Sequence, residues 1–326
     1  ELSQSGAGNI LLLEGAQDPT QPPSSVRIPE KIEDGFARLE RHDRRSSQLA
    51  RVGELGSGAD AMINESFVSA EIRCVVTNVC VNPFWGYSGG PSFLLSKLAS
   101  ESTVRTCLSP TLRNPRAPGV LSGNTVYEAS LPLSSVVRVD FALHLVEAVN
   151  GSLVGAFAGD FMESFRKACE LAEKMFRPAL QRKADIIISS AGGTPWDRSL
   201  FDAASSLIMG ASVCKDQGNL VLVAECADGL GGFAAAKTRP RDSRGPTAFT
   251  RKGFSLERLV EYSFQRVCAD SRVYVVSTLP EHHASLYGLL SARSVGSAYQ
   301  RAVRHAGRDA GVALVSHGCL TAPLIG

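Results

Sequence analysis

The clearest periodicity of apolar and polar positions lies in the second half of the chain. Residues 153–158 read as a strand that stops at Gly159-Asp160, where Asp160 is placed to cap a helix. Phe161, Phe165, Ala168, Ala172 and Met175 then recur at helical spacing and predict one apolar helix face. Residues 184–188 form a short β-branched run of the kind buried on both sides, ending at Ser189-Ser190-Ala191-Gly192-Gly193. A second amphipathic helix is predicted over 200–213, carrying Phe201, Ala204, Leu207, Ile208 and Ala211. Gly218 is its expected stop and residues 220–224 the next buried strand. Strand, helix and strand in this order predict a right-handed βαβ unit. Residues 272–277 and 312–315 add two strands, with a helix over 295–306 between them. The pattern predicts a doubly wound, mostly parallel sheet, whose ligands sit at the carboxyl ends of the strands: Gly192-Gly193, Glu225-Cys226 and Thr278.

The first half is less regular. Residues 9–13 predict a short strand, and Pro19, Pro22 and Pro23 exclude a helix interior after it. Ile32, Phe36 and Leu39 share a face at helical spacing and predict a helix over 29–39, and 71–80 reads as a buried strand. It feeds the irregular stretch Val81-Asn82-Pro83-Phe84-Trp85-Gly86-Tyr87-Ser88-Gly89-Gly90. The expected architecture is two-lobed α/β with a cleft between the lobes. An N-terminal α/β lobe spans 1–145 and a Rossmann-like lobe 146–326. The loop 237–252 carries six basic residues and reads as a solvated excursion.

Composition changes little in this picture. A chain of 326 residues, 44% hydrophobic and 20% charged, has core material for about two domains. A formal net charge of +2 gives no electrostatic footprint for nucleic acid or a membrane surface. No apolar run approaches the roughly 20 residues that cross a bilayer, and the N-terminus is no signal peptide. Since the chain opens on Glu1 and reaches an apolar run at once, sequence is expected to precede it. The 8 cysteines are scattered without a Cys-x-x-Cys pair, so they read as reduced, packed residues of a cytoplasmic protein rather than zinc ligands or disulfides.

Candidate chemistry begins with two glycine loops. Gly86-Tyr87-Ser88-Gly89-Gly90 and Ala191-Gly192-Gly193 both follow strands, where backbone N–H groups could approach a phosphate. Joined to Asn114-Pro115-Arg116-Ala117-Pro118-Gly119, Gly123-Asn124 with Val126 and Glu128, Phe157-Ala158-Gly159-Asp160, Ala184-Asp185-Ile186 and Val223-Ala224-Glu225-Cys226 with Gly229, they form an ordered pattern. That pattern resembles the nickel-pincer lactate racemase family over nearly the whole chain.

The resemblance implies two α/β lobes around a cleft and racemisation of 2-hydroxy acids by hydride transfer to a nickel-pincer nucleotide. It implies a cofactor cradle at Tyr87, Ser88, Gly89, Gly90, Ser92, Gly192 and Gly193. A tethering lysine is expected where this chain has Ser92, and a nickel-binding histidine where it has Leu108. The two acid–base histidines fall at Gln17 and Asn82, and the substrate-holding Gln and Lys at Asp202 and Ser205. The family's Asp-x-Thr-Arg-Pro segment would lie before residue 1. Covalent attachment needs an amine, nickel an imidazole, and proton transfer a group titrating near neutrality. No metal site and no confident cofactor follow from the residues present.

Other candidates carry ordinary readings. His42-Asp43 reads as structural, His144 as a hydrogen-bonded core histidine, and His305 as part of a solvated helix face. His282-His283 start a helix on different faces, His317 is the sixth histidine, and Lys97 reads as a surface lysine. Asp197, Asp202, Glu225 and Asp228 could gather at the strand ends as a cation site or acid–base pair, beside cap and loop roles. Three functions remain open: a degenerate family member that binds a small polar ligand in the interlobe cleft or acts as a scaffold, an enzyme of altered chemistry using Asp202, Glu225 or Asp228, and an active racemase of lactate or another 2-hydroxy acid.

Overall fold

A computed structural model describes residues 10–16, 18–19, 37–55, 58–109, 118–235 and 255–326. Strand β1 (Ile10–Glu14) pairs in parallel with β2 (Ala37–Arg41), and β3 (Leu49–Glu54) forms an antiparallel hairpin with β4 (Asp60–Asn64). Leu39, expected in a helix, stands opposite Leu12 in the β1–β2 ladder, so strand pairing overrides the local helical spacing there. Residues 29–36 of that expected helix lie outside the described residues. Helix α1 (Glu65–Ser69) starts where the Asn64 side chain accepts a hydrogen bond from the Phe67 N–H.

Strand β5 (Cys74–Asn78) leads into the short antiparallel pair β6 (Val81–Asn82) and β7 (Gly86–Tyr87). Helix α2 (Gly90–Phe93) opens into a π-helical turn, Leu94–Leu98, followed by α3 (Glu101–Leu108), α4 (Thr125–Glu128) and α5 (Leu131–Val136). Strand β8 (Phe141–Glu147) lies parallel to β5 and antiparallel to β9 (Leu153–Gly159), in the order β5-β8-β9. Helix α6 (Phe161–Phe176) packs on one face of this sheet, capped by Asp160 as its sequence predicts. Burial of Phe161, Phe165 and Phe176 stabilises the unit by roughly 1.5–3 kcal/mol each. The division expected at residue 145 falls inside β8. The β8–β9 hairpin carries the first sheet across it, and the chain leaves this sheet only after α6.

After β10 (Ala179–Leu180), the strand β11 (Ala184–Ser190) begins the larger sheet. Helix α7 (Ala204–Ala211) leads to β12 (Cys214–Val223), and α8 (Leu256–Asp270) leads to β13 (Arg272–Val276). Helix α9 (Glu281–Leu286), β14 (Leu290–Ser291), α10 (Val295–Ala306), β15 (Val312–Val315) and β16 (Leu324–Ile325) complete the chain. All pairings in the sheet are parallel, in the order β14-β13-β12-β11-β15. Side-chain alternation sends Ile186, Ile188 and Val221 toward Ala298 and Ala302 of α10. Ile187, Leu220 and Leu222 join the core that includes Leu207 of α7 and Leu259 of α8. Helices on both faces make this the doubly wound arrangement expected. Gly218 does not end a helix: α7 stops at Ala211, and Gly218 sits in β12 where the register against β11 shifts. The short β10–β16 pair ties the last residues back to the chain just after α6.

Candidate functional site

The glycine loop between β6 and α2 is built by hydrogen bonds that consume its polar groups. Asn82 is fully buried, and its Oδ1 accepts from the Phe84 and Trp85 N–H groups at 2.8 and 2.9 Å, closing the turn between β6 and β7. Ser88 Oγ accepts from the Cys80 N–H at 2.9 Å and donates to the Asn78 carbonyl at 3.1 Å. Ser92 Oγ donates to the Gly89 carbonyl at 2.7 Å in the first turn of α2. Gly90 has φ +52°, and a Cβ there would lie 2.6 Å from the Phe165 ring of α6. The loop is therefore pressed onto α6, and every residue from 81 to 92 is buried. Burial pushes the Tyr87 phenol up to about 12, with Glu173 adding to the rise and Arg177 opposing it.

Behind the loop, the π-helical turn meets the end of β1. The Ala16 N–H donates to the Lys97 carbonyl at 2.8 Å, and the stem of Lys97 lies against Gly15. Lys97 is half-buried rather than a surface lysine, because the wider turn lays its methylenes along β1. Burial lowers its pKa, opposed by the nearby Asp18. Gln17 lies outside the described residues. Leu108, the last residue of α3, is fully buried in the main hydrophobic core.

At the carboxyl ends of the larger sheet, Gly192 and Gly193 take φ +111° and +85° directly after β11. A Cβ on Gly192 would lie 3.3 Å from the His317 ring and 3.7 Å from the Trp196 ring. His317 follows the end of β15 by two residues, with Nδ1 3.1 Å from Ser316 Oγ. The strand-end rule that singled out Gly192, Glu225 and Thr278 also selects His317, which sequence reasoning left without a role. The carboxylates at this end have separate duties. Asp202 Oδ2 accepts from Ser199 Oγ at 2.6 Å, and Asp228 Oδ2 pairs with Arg198 at 2.6 and 3.0 Å. Asp197 Oδ2 accepts from the Glu225 N–H at 3.4 Å. Ser205 is buried within α7. Among the described residues, no three His, Cys, Asp or Glu side chains converge on a point that could hold a metal ion.

Two histidines are framework. His42 Nε2 lies 3.3 Å from the Ala99 carbonyl and Nδ1 3.3 Å from Asn64 Nδ2, and burial lowers its pKa. His144 is fully buried between Phe161 and Phe165, with Nδ1 2.9 Å from Ser164 Oγ, and desolvation pushes its pKa down to about 4. A cavity of about 440 Å³ opens between the two halves, lined by Ala16, Arg44 and Glu101 on one side and Ser255, Leu256 and Glu257 on the other. Among the described residues, no helix is long and apolar enough to cross a membrane. All eight cysteines are unpaired.

The nickel-pincer nucleotide does not fit these residues. Ser92 offers a hydroxyl already bonded to Gly89, Asn82 an oxygen already holding two N–H groups, and Leu108 no lone pair at all.

Comparison with known proteins converges on one family. A model of the "Lactate racemase N-terminal domain" matches residues 19–117, and one of the "Lactate racemase C-terminal domain" matches residues 180–321. A lactate racemase of Thermoanaerobacterium thermosaccharolyticum is 32% identical over 59% of this chain and 45% of its own length. One from Lactiplantibacillus plantarum is 26% identical over 83% of this chain and 66% of its own. The chain thus spans less than two thirds of the length of these relatives. The structure of the T. thermosaccharolyticum lactate racemase apoprotein superposes with a TM-score of 0.79 at 25% identity, covering 90% of this chain and 72% of that one. A Thermotoga maritima protein shares the fold, with a TM-score of 0.73 at 13% identity over 100% of this chain and 88% of its own.

Proposed function

This chain belongs to the lactate racemase family, and we propose that it keeps the family frame without the nickel-pincer chemistry, binding a small polar ligand between its lobes. The observation that carries this reading is the state of Asn82, Ser92 and Leu108. All three are fully buried, and each is engaged in holding the fold. A lysine at position 92 would have to carry its chain through packed core. An imidazole at 108 would replace a leucine fully buried in the hydrophobic core. The competing reading is racemisation of lactate or another 2-hydroxy acid, and it draws on the two matching family models and the relatives. An altered chemistry through Asp202, Glu225 and Asp228 has less support, because Asp202 and Asp228 are each tied to a neighbour of their own.

The test is expression of the full chain together with the enzymes that make the pincer cofactor. Metal analysis, intact mass and chiral chromatography of lactate follow on the purified protein. An unmodified mass, no stoichiometric nickel and no interconversion of enantiomers are expected. A covalent mass increase with nickel and racemisation would overturn the proposal.

A further inference from the structure

We propose that the bare face of the sheet β5-β8-β9 is a homodimer interface, packed against the same face of a second copy of this chain. Strands turn successive side chains to opposite faces. Ala142, His144 and Val146 of β8 are fully buried on the face that α6 covers. Phe141, Leu143 and Leu145 turn the other way, and the ladders set Val76 beside Leu143 and Ala156 beside Leu145. On that side Val76 is 62% exposed, Phe141 45% and Val154 48%. Among the described residues, neither Leu143 nor Leu145 joins one of the hydrophobic cores. A sheet face left to water ordinarily carries polar residues, and the middle of this one carries none.

Area and charge point to a second copy as the occupant. The exposed side chains leave on the order of 500 Å² of apolar surface on one face, at the upper end of what a monomer shows. Ile72 and Leu153, exposed at its two ends, bring it toward the roughly 800 Å² per partner of a stable interface. A face without charge at its centre has the make-up of a homodimer interface, which resembles a divided core, whereas transient interfaces are as polar as the rest of a surface. Its charge sits at one end, where Glu147 accepts from Asn78 Nδ2 at 3.0 Å. A two-fold axis perpendicular to the strands sets this end over the opposite end of the second copy, near the exposed Arg138. An axis along the strands would bring the two Glu147 carboxylates together. The copies therefore pack with strands antiparallel across the interface, as two aligned sheets about 10 Å apart.

The experiment is sedimentation velocity of the full chain over a wide range of concentration, with the folding of each variant checked by circular dichroism. A dimer is expected. Val76→Glu places a charge on an exposed position, so the monomer keeps its fold. The two-fold repeats that charge, and the dimer dissociation constant should rise at least roughly tenfold. Leu314 of β15 is 74% exposed on the other sheet, and Leu314→Glu should leave the dimer intact. Cys74 is exposed at the start of β5, on the same face as Val76, and should react with iodoacetamide severalfold more slowly in the dimer than in dilute protein. A monomer at every concentration would overturn the proposal, and protection of Cys74 in that monomer would assign the face to another part of the chain. A dimer broken by Leu314→Glu, one indifferent to Val76→Glu, or one that leaves Cys74 fully reactive would overturn it as well. So would growth into larger species without a closed dimer.

Discussion

His144 gives the fold a dependence on pH whose size follows from its surroundings. The ring lies fully buried on β8, opposite Thr77 and Phe157 in the two ladders and against Phe161 and Phe165 of α6. Its polar contact is Ser164 Oγ, and Ser164 in turn donates to the Asp160 carbonyl at 2.6 Å. The hydroxyl hydrogen is thereby committed, so the ring presents N–H at Nδ1 and stays neutral. An unfolded histidine takes its proton near pH 6.5, whereas desolvation holds this one down to about 4. Stability is whole above the unfolded value and drains as pH falls through that window, because the unfolded chain binds the proton first. The loss from this residue is about 2 kcal/mol at pH 5 and about 3 kcal/mol once pH falls below 4.

The assay is urea unfolding of the wild type and His144→Leu at intervals from pH 7.5 to 4.5. Leucine fills a similar volume and leaves Ser164 with its bond to Asp160, so at pH 7.5 the substitution should cost about 1 kcal/mol. Toward pH 5 the two curves should converge and then cross. Taking the difference removes the other shifted groups. His42, lowered by burial, acts in the same direction as His144, while Glu261, raised by burial, acts in the opposite one. Parallel stability curves for the two proteins across this range would refute the argument.

Two further substitutions test the packing of the glycine loop. Asn82→Ala leaves the buried Phe84 and Trp85 N–H groups without their acceptor and should cost about 2–4 kcal/mol in urea unfolding. Gly90→Ala puts a methyl 2.6 Å from the Phe165 ring, whereas Gly123→Ala, at a similar positive φ, meets nothing within 4 Å. Gly90→Ala should therefore destabilise by several kcal/mol and Gly123→Ala by only about 1 kcal/mol, read as shifts in thermal midpoint; equal shifts would mean the loop does not rest on α6 as described.

The larger sheet was legible because its strands are buried on both faces and its helices are amphipathic, so each element announces itself within ten to fifteen residues. Asp160 at the start of α6 is of the same kind, a local signal with a local cause. What could not be read depends on contacts far apart in the chain. Arg44 and Ser96 are 52 residues apart, and no pattern around either marks the bond between them. Leu39 looked helical until its partner Leu12 was in place. The continuation of the first sheet past residue 145 could not be read for the same reason, since the β8–β9 hairpin is a pairing and not a composition. At the candidate site, the residue types at 82, 92 and 108 could be read, but not that each has a structural task there.

The glycines and the asparagine around this loop have structural tasks of their own. Gly86 has φ +78°, and a Cβ on it would lie 2.1 Å from the Val120 carbonyl oxygen. The Gly119 N–H donates to the Gly86 carbonyl at 3.0 Å, and Asn124 Nδ2 bridges the Phe84 and Val120 carbonyls at 2.8 and 2.9 Å. These glycines and this asparagine hold the loop whatever chemistry it serves, so their loss would cost stability directly. Asn82, Ser92 and Leu108, where the resemblance places the family's chemistry, are engaged in the fold as well. Restoring one of them meets a filled position: a lysine at 92 must displace the Ser92–Gly89 bond, and a histidine at 108 must bury an imidazole in the core. Each of these substitutions alone is expected to lower the midpoint of urea unfolding, and a variant as stable as the wild type would refute the structural role assigned to its position.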